Sequence, residues 1–389
     1  MQRIDHEGND IGNIDFFKHE KEFFGTAPSV LSRHDLTKVF YEALPESTKA
    51  RLLPNKRVAT IASNATDDGV IITCQDGSKF ETRLVIAADG AHSTVREQMR
   101  NLALQYNASL PEGVVPVPIN KEQPYLTTFR CLWVRFPSIP SIPTGTTSET
   151  HGPGAATQSF AAADTTATGV YERLDKPTKE RVRWTQADKE ACVAKWGHLL
   201  VAKGSTITIG EAYAASTESG MVSLEEGVVD NWSFDGRVVL TGDAAHKFTP
   251  STGAGCNNGI VDIVAFVNEL YTILPSSVSA EATARQPSKK DVGAALERYQ
   301  SKRHAAVVAA GAASGQATNA ASWANWPTSL LDRYVVSNKM MQRYVASKLL
   351  TASAINTPVF SFIEGEDRKG GTMAWVEPMT TLSRAVAAV

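Results

Sequence analysis

Four cysteines stand in 389 residues, Cys74, Cys131, Cys192 and Cys256, and no two are close enough to form a Cys-x-x-Cys pair. That spacing excludes a zinc ribbon and offers no disulfide framework, so a reducing, intracellular and cytoplasmic setting is expected. Long apolar runs are missing as well. No window approaches the ~18 uninterrupted apolar residues of a membrane-spanning helix, and MQRIDHEGNDIGNIDFF lacks the apolar segment of a secretory signal. Peripheral attachment to a membrane stays open. An excess of one charge is also lacking: 39 Lys and Arg against 41 Asp and Glu leave a formal net charge of −2, which gives no electrostatic footprint for nucleic acid. No internal repeat is found. What remains is a globular composition long enough for about two or three domains.

Ser32-Arg33-His34-Asp35 before Leu36, Val39, Phe40 and Ala43 predicts a capped amphipathic helix that Pro45 ends. From Arg57 to Ala88 the pattern shortens to strands, VATIA, VIITC and KFETRLVIAA, separated by the hairpin signals Asp68-Gly69 and Asp76-Gly77. Leu84 to Ala88 is continuously apolar and predicts a strand buried on both faces. The region from Leu104 to Trp232 reads as mostly β, with a strand over YLTTFRCLWVRF, a loop over SIPSIPTGTTSETHGPGAA and a helix from about Gln186. A polar linker from Pro275 to Asp291 leads into helical sequence reaching about Ser353. Within it, the Ala-rich tract from Ala305 to Trp326 predicts a packed helix pair, and Trp323, Trp326, Met340 and Met341 read as core.

The chemical information concentrates in two loops. Asp89-Gly90-Ala91-His92-Ser93-Thr94-Val95-Arg96 follows one apolar run and opens a helix. Gly242-Asp243, continued by Gly253 and Gly255, follows Val238-Val239-Leu240 and does the same. In a doubly wound sheet, loops at the carboxyl ends of strands hold nucleotide cofactors; aspartates there accept from sugar hydroxyls, and helix N-termini meet phosphates. A simple turn at Asp89 and a ligand-free helix cap at Asp243 are the plainer alternatives.

Asp89-Gly90-x-x-Ser93-x-x-Arg96 and Gly242-Asp243-Ala244-Ala245-His246-x-x-x-Pro250-x-x-Gly253-x-Gly255-x-Asn257-x-Gly259-x-x-Asp262 resemble the DG and GD motifs of FAD-dependent monooxygenases of the para-hydroxybenzoate hydroxylase type. Among these, the chain is similar to fungal enzymes that epoxidise or hydroxylate terpenoid and meroterpenoid intermediates. The resemblance implies an α/β fold: a Rossmann-like, doubly wound FAD-binding domain over 1–103 and 233–290, an inserted mostly β substrate domain over 104–232, and a helical region over 291–389. It implies FAD as cofactor and NADPH as reductant. One oxygen atom of O2 would pass to a small hydrophobic substrate.

The cofactor-binding residues it implies are Arg33, Asp89, Asp243, Pro250, Gly253, Gly255, Cys256 and Asn257, with Arg130 and Tyr171 as catalytic candidates. Of the two GD-motif aspartates, only Asp243 is expected at the ribityl chain. Cys256 is expected as a small buried residue beside the flavin, and His246 as a loop histidine in a structural hydrogen bond. One departure stands against these matches. No Gly-x-Gly-x-x-Gly precedes Arg33, so the leading βαβ unit and its pyrophosphate cradle are expected to be missing and FAD to bind weakly. A non-redox cyclase or isomerase, or a flavoprotein fold that only binds a metabolite or partner, are the alternative functions.

Overall fold

The computed structural model describes residues 1–26, 28–64, 69–274, 286–350, 354–363 and 371–373. β1 (Gln2–Asp5) is followed by α1 (Phe16–Phe24) and by α2 (Arg33–Ala43). α2 starts where the sequence predicts, with Ser32 Oγ accepting the Asp35 N–H at 3.0 Å, and it ends at Leu44, which is extended because Pro45 follows. Yet no residue of α2 or of α3 (Glu46–Lys49) is buried, and Val39 and Phe40 face solvent.

β2 (Val58–Ser63), β3 (Val70–Cys74) and β4 (Lys79–Thr82) form an antiparallel meander. Its second hairpin turns on Gly77 at φ +83°, where the absent Cβ permits the left-handed backbone. The first hairpin signal includes Asp68, which lies outside the described residues. β5 (Val85–Ala87) comes next, then α4 (Thr94–Ala108). β6 (Leu126–Pro137), β7 (Thr147–Gly152), β8 (Ala155–Ala161) and β9 (Thr165–Thr178) precede α5 (Gln186–Trp196), α6 (Ile209–Ala214) and β10 (Glu218–Val228). β7 corrects the sequence reading, which placed SETHG in a loop. β11 (Ser233–Phe234), β12 (Val238–Leu240) and β13 (His246–Lys247) lead into α7 (Ala254–Tyr271), α8 (Lys289–Ala321), α9 (Trp326–Leu330) and α10 (Lys339–Val345).

The largest sheet has the order β1-β7-β8-β9-β6-β10-β13. β1 pairs with β7 in parallel, so residues 2–5 belong with the β-rich region rather than with the sheet of β5. One face of this sheet packs Leu132, Val134 and Phe136 against Cys192 and Trp196 of α5 and Ile209 of α6. The other face meets α8 and the loop that precedes α7.

The smaller sheet has the order β11-β12-β5, with β12 and β5 parallel. Val238, Val239 and Leu240 are fully buried, as their unbroken apolar run predicts. β5 is not buried on both faces. Ile86 is 48% exposed, and β5 has no second neighbour among the described residues.

The expected helix pair over Ala305 to Trp326 is instead the second half of one helix, α8, 33 residues long. Its small residues serve close approach: a Cβ on Gly311 would stand 3.1 Å from the Phe248 ring, and one on Gly315 2.8 Å from the Glu226 carboxylate. α8 therefore lies directly against the loop between β12 and α7. Part of the linker before it, residues 275–285, lies outside the described residues.

Candidate cofactor and active site

β5 and β12 run in register, Val85 opposite Val238 and Ala87 opposite Leu240. Asp89 and Asp243 consequently emerge at the same end of the sheet, as the two-loop reading requires. Arg96 joins the loops. Its buried guanidinium donates to the Ala91 carbonyl at 2.6 Å and to the Ala244 carbonyl at 2.9 Å, and lies over the Tyr125 ring. Tyr125 in turn donates its hydroxyl to the Asp243 carbonyl at 3.0 Å. The Asp89 carboxylate accepts from the Ser93 hydroxyl and from the Val95 N–H, so it also fixes the start of α4.

The Asp243 carboxylate is 35% exposed and pairs with Lys247 at 2.7 Å. A Cβ on Gly255 would stand 3.9 Å from its Oδ1, so the small residue leaves that oxygen accessible. Gly253 adopts φ +65° with nothing within 4 Å of a Cβ position, and Gly90 likewise borders open space. α7 begins there without a side-chain cap and without an acid in its first turn. Its first N–H groups and the positive end of its dipole are therefore free to meet an electron-rich group.

Pro250 opens a short 3-10 turn, Pro250–Thr252, which α8 grips through hydroxyls: Ser251 Oγ lies 2.6 Å from Thr318 Oγ1, and Thr252 bonds Ser314. The Asn257 amide donates back to the Gly253 carbonyl at 3.1 Å. Cys256, expected from the sequence as a small buried residue, is exposed in the first turn of α7. Arg33 sits at the exposed start of α2, and no hydrogen bond or ion pair among the described residues joins it to either loop.

Arg130 and Tyr171 stand on opposite faces of the large sheet. Arg130 pairs across to Glu172, and Cys131 pairs to Tyr171; facing residues share a side, and successive residues alternate. Arg130 is on the α5 side, bonded to Glu172 at 2.7 Å and stacked on Trp184. Tyr171 is on the side of the GD loop. It donates to Gln158 Oε1 at 3.0 Å, and burial holds its phenol well above the ordinary value, so it stays neutral.

Sequence reasoning missed two polar assemblies. The first centres on Asp262, fully buried in α7: its carboxylate accepts the Gly242 N–H at 3.0 Å, Arg303 Nε at 2.8 Å and His246 Nε2 at 2.5 Å. His246 thus makes the structural hydrogen bond expected of it. A lone acid inside IVDIVAF was the available signal, because a charge on a buried helix stripe demands partners. The second runs across the sheet face that carries Tyr171. Gln158 donates to Glu149 at 2.9 Å, Glu149 contacts His151 at 3.0 Å, and His151 contacts Asp332 at 2.8 Å. Arg3 completes the row on Asp332. Glu149 and His151 were hidden by the loop reading of SETHG; only as a strand do they share a face.

Burial alone would lower the His151 pKa, but the hydrogen bonds the ring donates to Asp332 and Glu149 outweigh it and raise the pKa to about 9. A raised folded-state pKa means the imidazolium stabilises the fold fully below the ordinary histidine value of ~6.5, and the gain disappears as pH climbs through 9. Stability is expected to fall by about 3 kcal/mol across that window. Urea midpoints of wild type and His151→Gln, followed from pH 6 to 9.5, check this: only the wild type should show the slope.

A cavity of about 90 Å³ opens beside Arg96 and Tyr125, rimmed by His92, Lys179, Arg181 and Glu225. His92 approaches Glu225 at 3.6 Å, and burial nonetheless holds its pKa below the ordinary value.

Two nucleotide-type loops at one sheet end, backed by a β-rich layer with a polar inner face, define a flavoprotein of the FAD-binding α/β class. Residues 6–310 match the FAD binding domain family, and the chain belongs to it. It is 28% identical over 374 residues to FAD-dependent monooxygenase DEP2 of Alternaria brassicicola, covering 94% of this chain and 66% of that protein. It is 25% identical to FAD-dependent monooxygenase ausM of Penicillium brasilianum, covering 73% of this chain and 56% of that one. The chain therefore spans about two-thirds or less of these relatives. Its fold is that of HpxO from Klebsiella pneumoniae, solved with FAD and uric acid: TM-score 0.61 at 18% identity, covering 90% of this chain and 80% of that one.

The residues present suit one half of FAD. Open space over Gly90 and Gly253, the accessible Asp243 carboxylate and the uncapped start of α7 fit a ribityl chain and a flavin ring. For the pyrophosphate, no glycine-rich strand-to-helix turn of the Gly-x-Gly-x-x-Gly kind is present in the sequence.

Proposed function

We propose that the chain is the FAD-binding and substrate-binding part of a monooxygenase that inserts one oxygen atom of O2 into a hydrophobic intermediate of fungal secondary metabolism, of terpenoid or meroterpenoid class. The observation that carries this reading is the convergence of Asp89, Asp243 and the uncapped α7 N-terminus at one sheet end, facing the same side of the large sheet as Tyr171. FAD, when bound and reduced by NADPH, would supply the two electrons that activate O2, one oxygen atom of which passes to the substrate while the other leaves as water. Asp243 would hold the ribityl hydroxyls, and the first N–H groups of α7 would stabilise negative charge developing on the ring. Tyr171, neutral and pinned by Gln158, would orient the substrate. Arg130, on the far face, would position Glu172 and α5 instead of touching substrate. Glu149 and His151, the ionisable groups described on the face that carries Tyr171, are engaged with Gln158, Asp332 and each other instead of standing free as a base for a phenol, which favours an alkene and hence epoxidation over aromatic hydroxylation. Substrate-dependent NADPH consumption with incorporation of label from ¹⁸O2 tests the proposal; turnover without label would reject it.

A second reading has one observation in its favour. The 389 residues given contain no Gly-x-Gly-x-x-Gly turn, and the same fold could catalyse a non-redox cyclisation or isomerisation of a metabolite; product formation in the absence of O2 would select it.

For the reductant, we infer that NADPH places its phosphates at the cavity beside Arg96, because Lys179 and Arg181 on its rim have no ion pair among the described residues. Each charge-assisted bond to phosphate contributes ~1.5–3 kcal/mol. Lys179→Ala combined with Arg181→Ala is expected to weaken NADP⁺ binding by about a hundredfold or more, measured by calorimetry, while FAD affinity is unchanged. Equal NADP⁺ affinity in wild type and variant would remove the cavity from the site.

A further inference from the structure

Trp326, Met340 and Met341, read from the sequence as core, are on the outside. Trp326 is 75% exposed, Tyr334 70% and Met340 83%. The segment is inverted, with its polar side chains inward and its apolar ones outward. Asp332 is buried against Arg3, His151 and the Trp323 indole N–H. Gln342 is buried too, donating to the Asn13 carbonyl at 2.7 Å and accepting the Asp15 N–H at 2.7 Å.

These two anchors fix how the helices sit. Both α9 with its π-helical continuation Leu331–Val335 and α10 lie with their polar sides on residues 3–15, so their opposite sides look away from the same surface. Trp326, Leu330 and Tyr334 recur every four residues on the first outward side, and Met340 and Tyr344 do so on the second. Rolling either helix to bury these groups would expose apolar contacts and strip Asp332 and Gln342 of their partners.

The charge on this segment has one sign. Between Trp326 and Lys348 the only acid is Asp332, which is buried, while Arg333, Lys339, Arg343 and Lys348 are basic. Arg343 pairs with Glu22 and Arg333 with Asp5, but Lys339 and Lys348 carry no ion pair among the described residues. Exposed Trp and Tyr, whose rings favour the boundary between headgroups and acyl chains, are combined here with unpaired lysines, and the segment itself contributes no exposed carboxylate. A second copy of this face would bring like charges together. An anionic bilayer would not.

We propose that the outward face of residues 326–348 is a membrane-docking surface that inserts Trp326, Tyr334 and Met340 into the interfacial layer of an anionic leaflet, with Lys339 and Lys348 on the lipid headgroups. The attachment proposed for this face is peripheral; no helix among the described residues is long and apolar enough to cross a membrane. It does not depend on the proposed reaction, although a membrane-soluble substrate would be delivered by it.

The whole 389-residue chain, mixed with phosphatidylcholine vesicles containing phosphatidylserine and floated on a density gradient, is expected to rise with the lipid. Phosphatidylcholine alone should retain it at least tenfold less well. The triple variant Trp326→Ser, Tyr334→Ser, Met340→Ser should lose about a hundredfold in partitioning, and Lys339→Glu with Lys348→Glu at least tenfold. All five positions lie on the surface, and circular dichroism checks that the variants fold. No flotation of wild type, or equal flotation of wild type and triple variant, would overturn the proposal. So would loss of self-association in the triple variant without any vesicle binding, which would assign the face to a second copy.

Discussion

Purified alone, the 389-residue chain is expected to bind FAD weakly, and to become a stoichiometric yellow protein once the leading βαβ unit of a related monooxygenase is fused ahead of Met1. The expectation rests on what the cofactor would touch. Asp243, Asp89 and the start of α7 address the ribityl and ring end, while no Gly-x-Gly-x-x-Gly turn offers backbone N–H groups to the pyrophosphate. Each such bond to a charged oxygen is worth ~1.5–3 kcal/mol, so losing two weakens binding by roughly a hundredfold to ten-thousandfold. Two features of the fold would receive the added unit. β5 has one free edge among the described residues, with Ile86 half exposed, and α2 presents Val39 and Phe40 to solvent. A strand laid parallel to β5 with its crossover helix would cover apolar surface that now faces water. Flavin fluorescence titration of both proteins measures the difference. Tight FAD binding by the unfused chain would mean that the phosphates have another cradle, and would defeat the expectation.

Much of this was legible because it depends on local chemistry. The cap at Ser32, the strand Val238–Leu240 and the start of α5 at Gln186 follow from patterns a few residues long, and the structure has them. The two loops that leave one end of the small sheet were legible for the same reason. What escaped depends on partners distant in sequence. SETHG reads as loop by composition and becomes β7 because β1 and β8 flank it, with paired residues 146 apart along the chain in one case and adjacent in the other. Arg130 and Tyr171 look equivalent until the β6–β9 register puts them on opposite faces. Met340 and Trp326 look like core residues because hydrophobicity says nothing about which side of a helix a buried Asp332 will claim.

The same distinction separates the two aspartates of the GD motif, which differ in burial and partners. Asp262 was set aside as remote from the ribityl chain, but it holds the loop that Asp243 stands on. Its carboxylate receives the Gly242 N–H, the Arg303 guanidinium and His246, all within an interior that excludes water. Asp262→Ala would leave Arg303 buried without its counter-charge, the case in which breaking a buried pair costs about 3–5 kcal/mol. Against a total stability of ~5–15 kcal/mol that is a large fraction, so partial unfolding and loss of FAD together are expected. Asp243→Ala should behave differently. Its carboxylate is one-third exposed and its lysine partner reaches solvent, so the fold should stay within about 0.5 kcal/mol of wild type. FAD affinity should still fall roughly tenfold to a hundredfold for the lost charge-assisted bond. Urea midpoints and flavin titrations of both variants, made in the fused protein, separate the two effects. Asp262→Ala should shift both measurements, Asp243→Ala the titration alone. A stable Asp262→Ala variant would show that Arg303 finds another partner or water, and that the GD loop is held by the α8 hydroxyls at Ser314 and Thr318 instead.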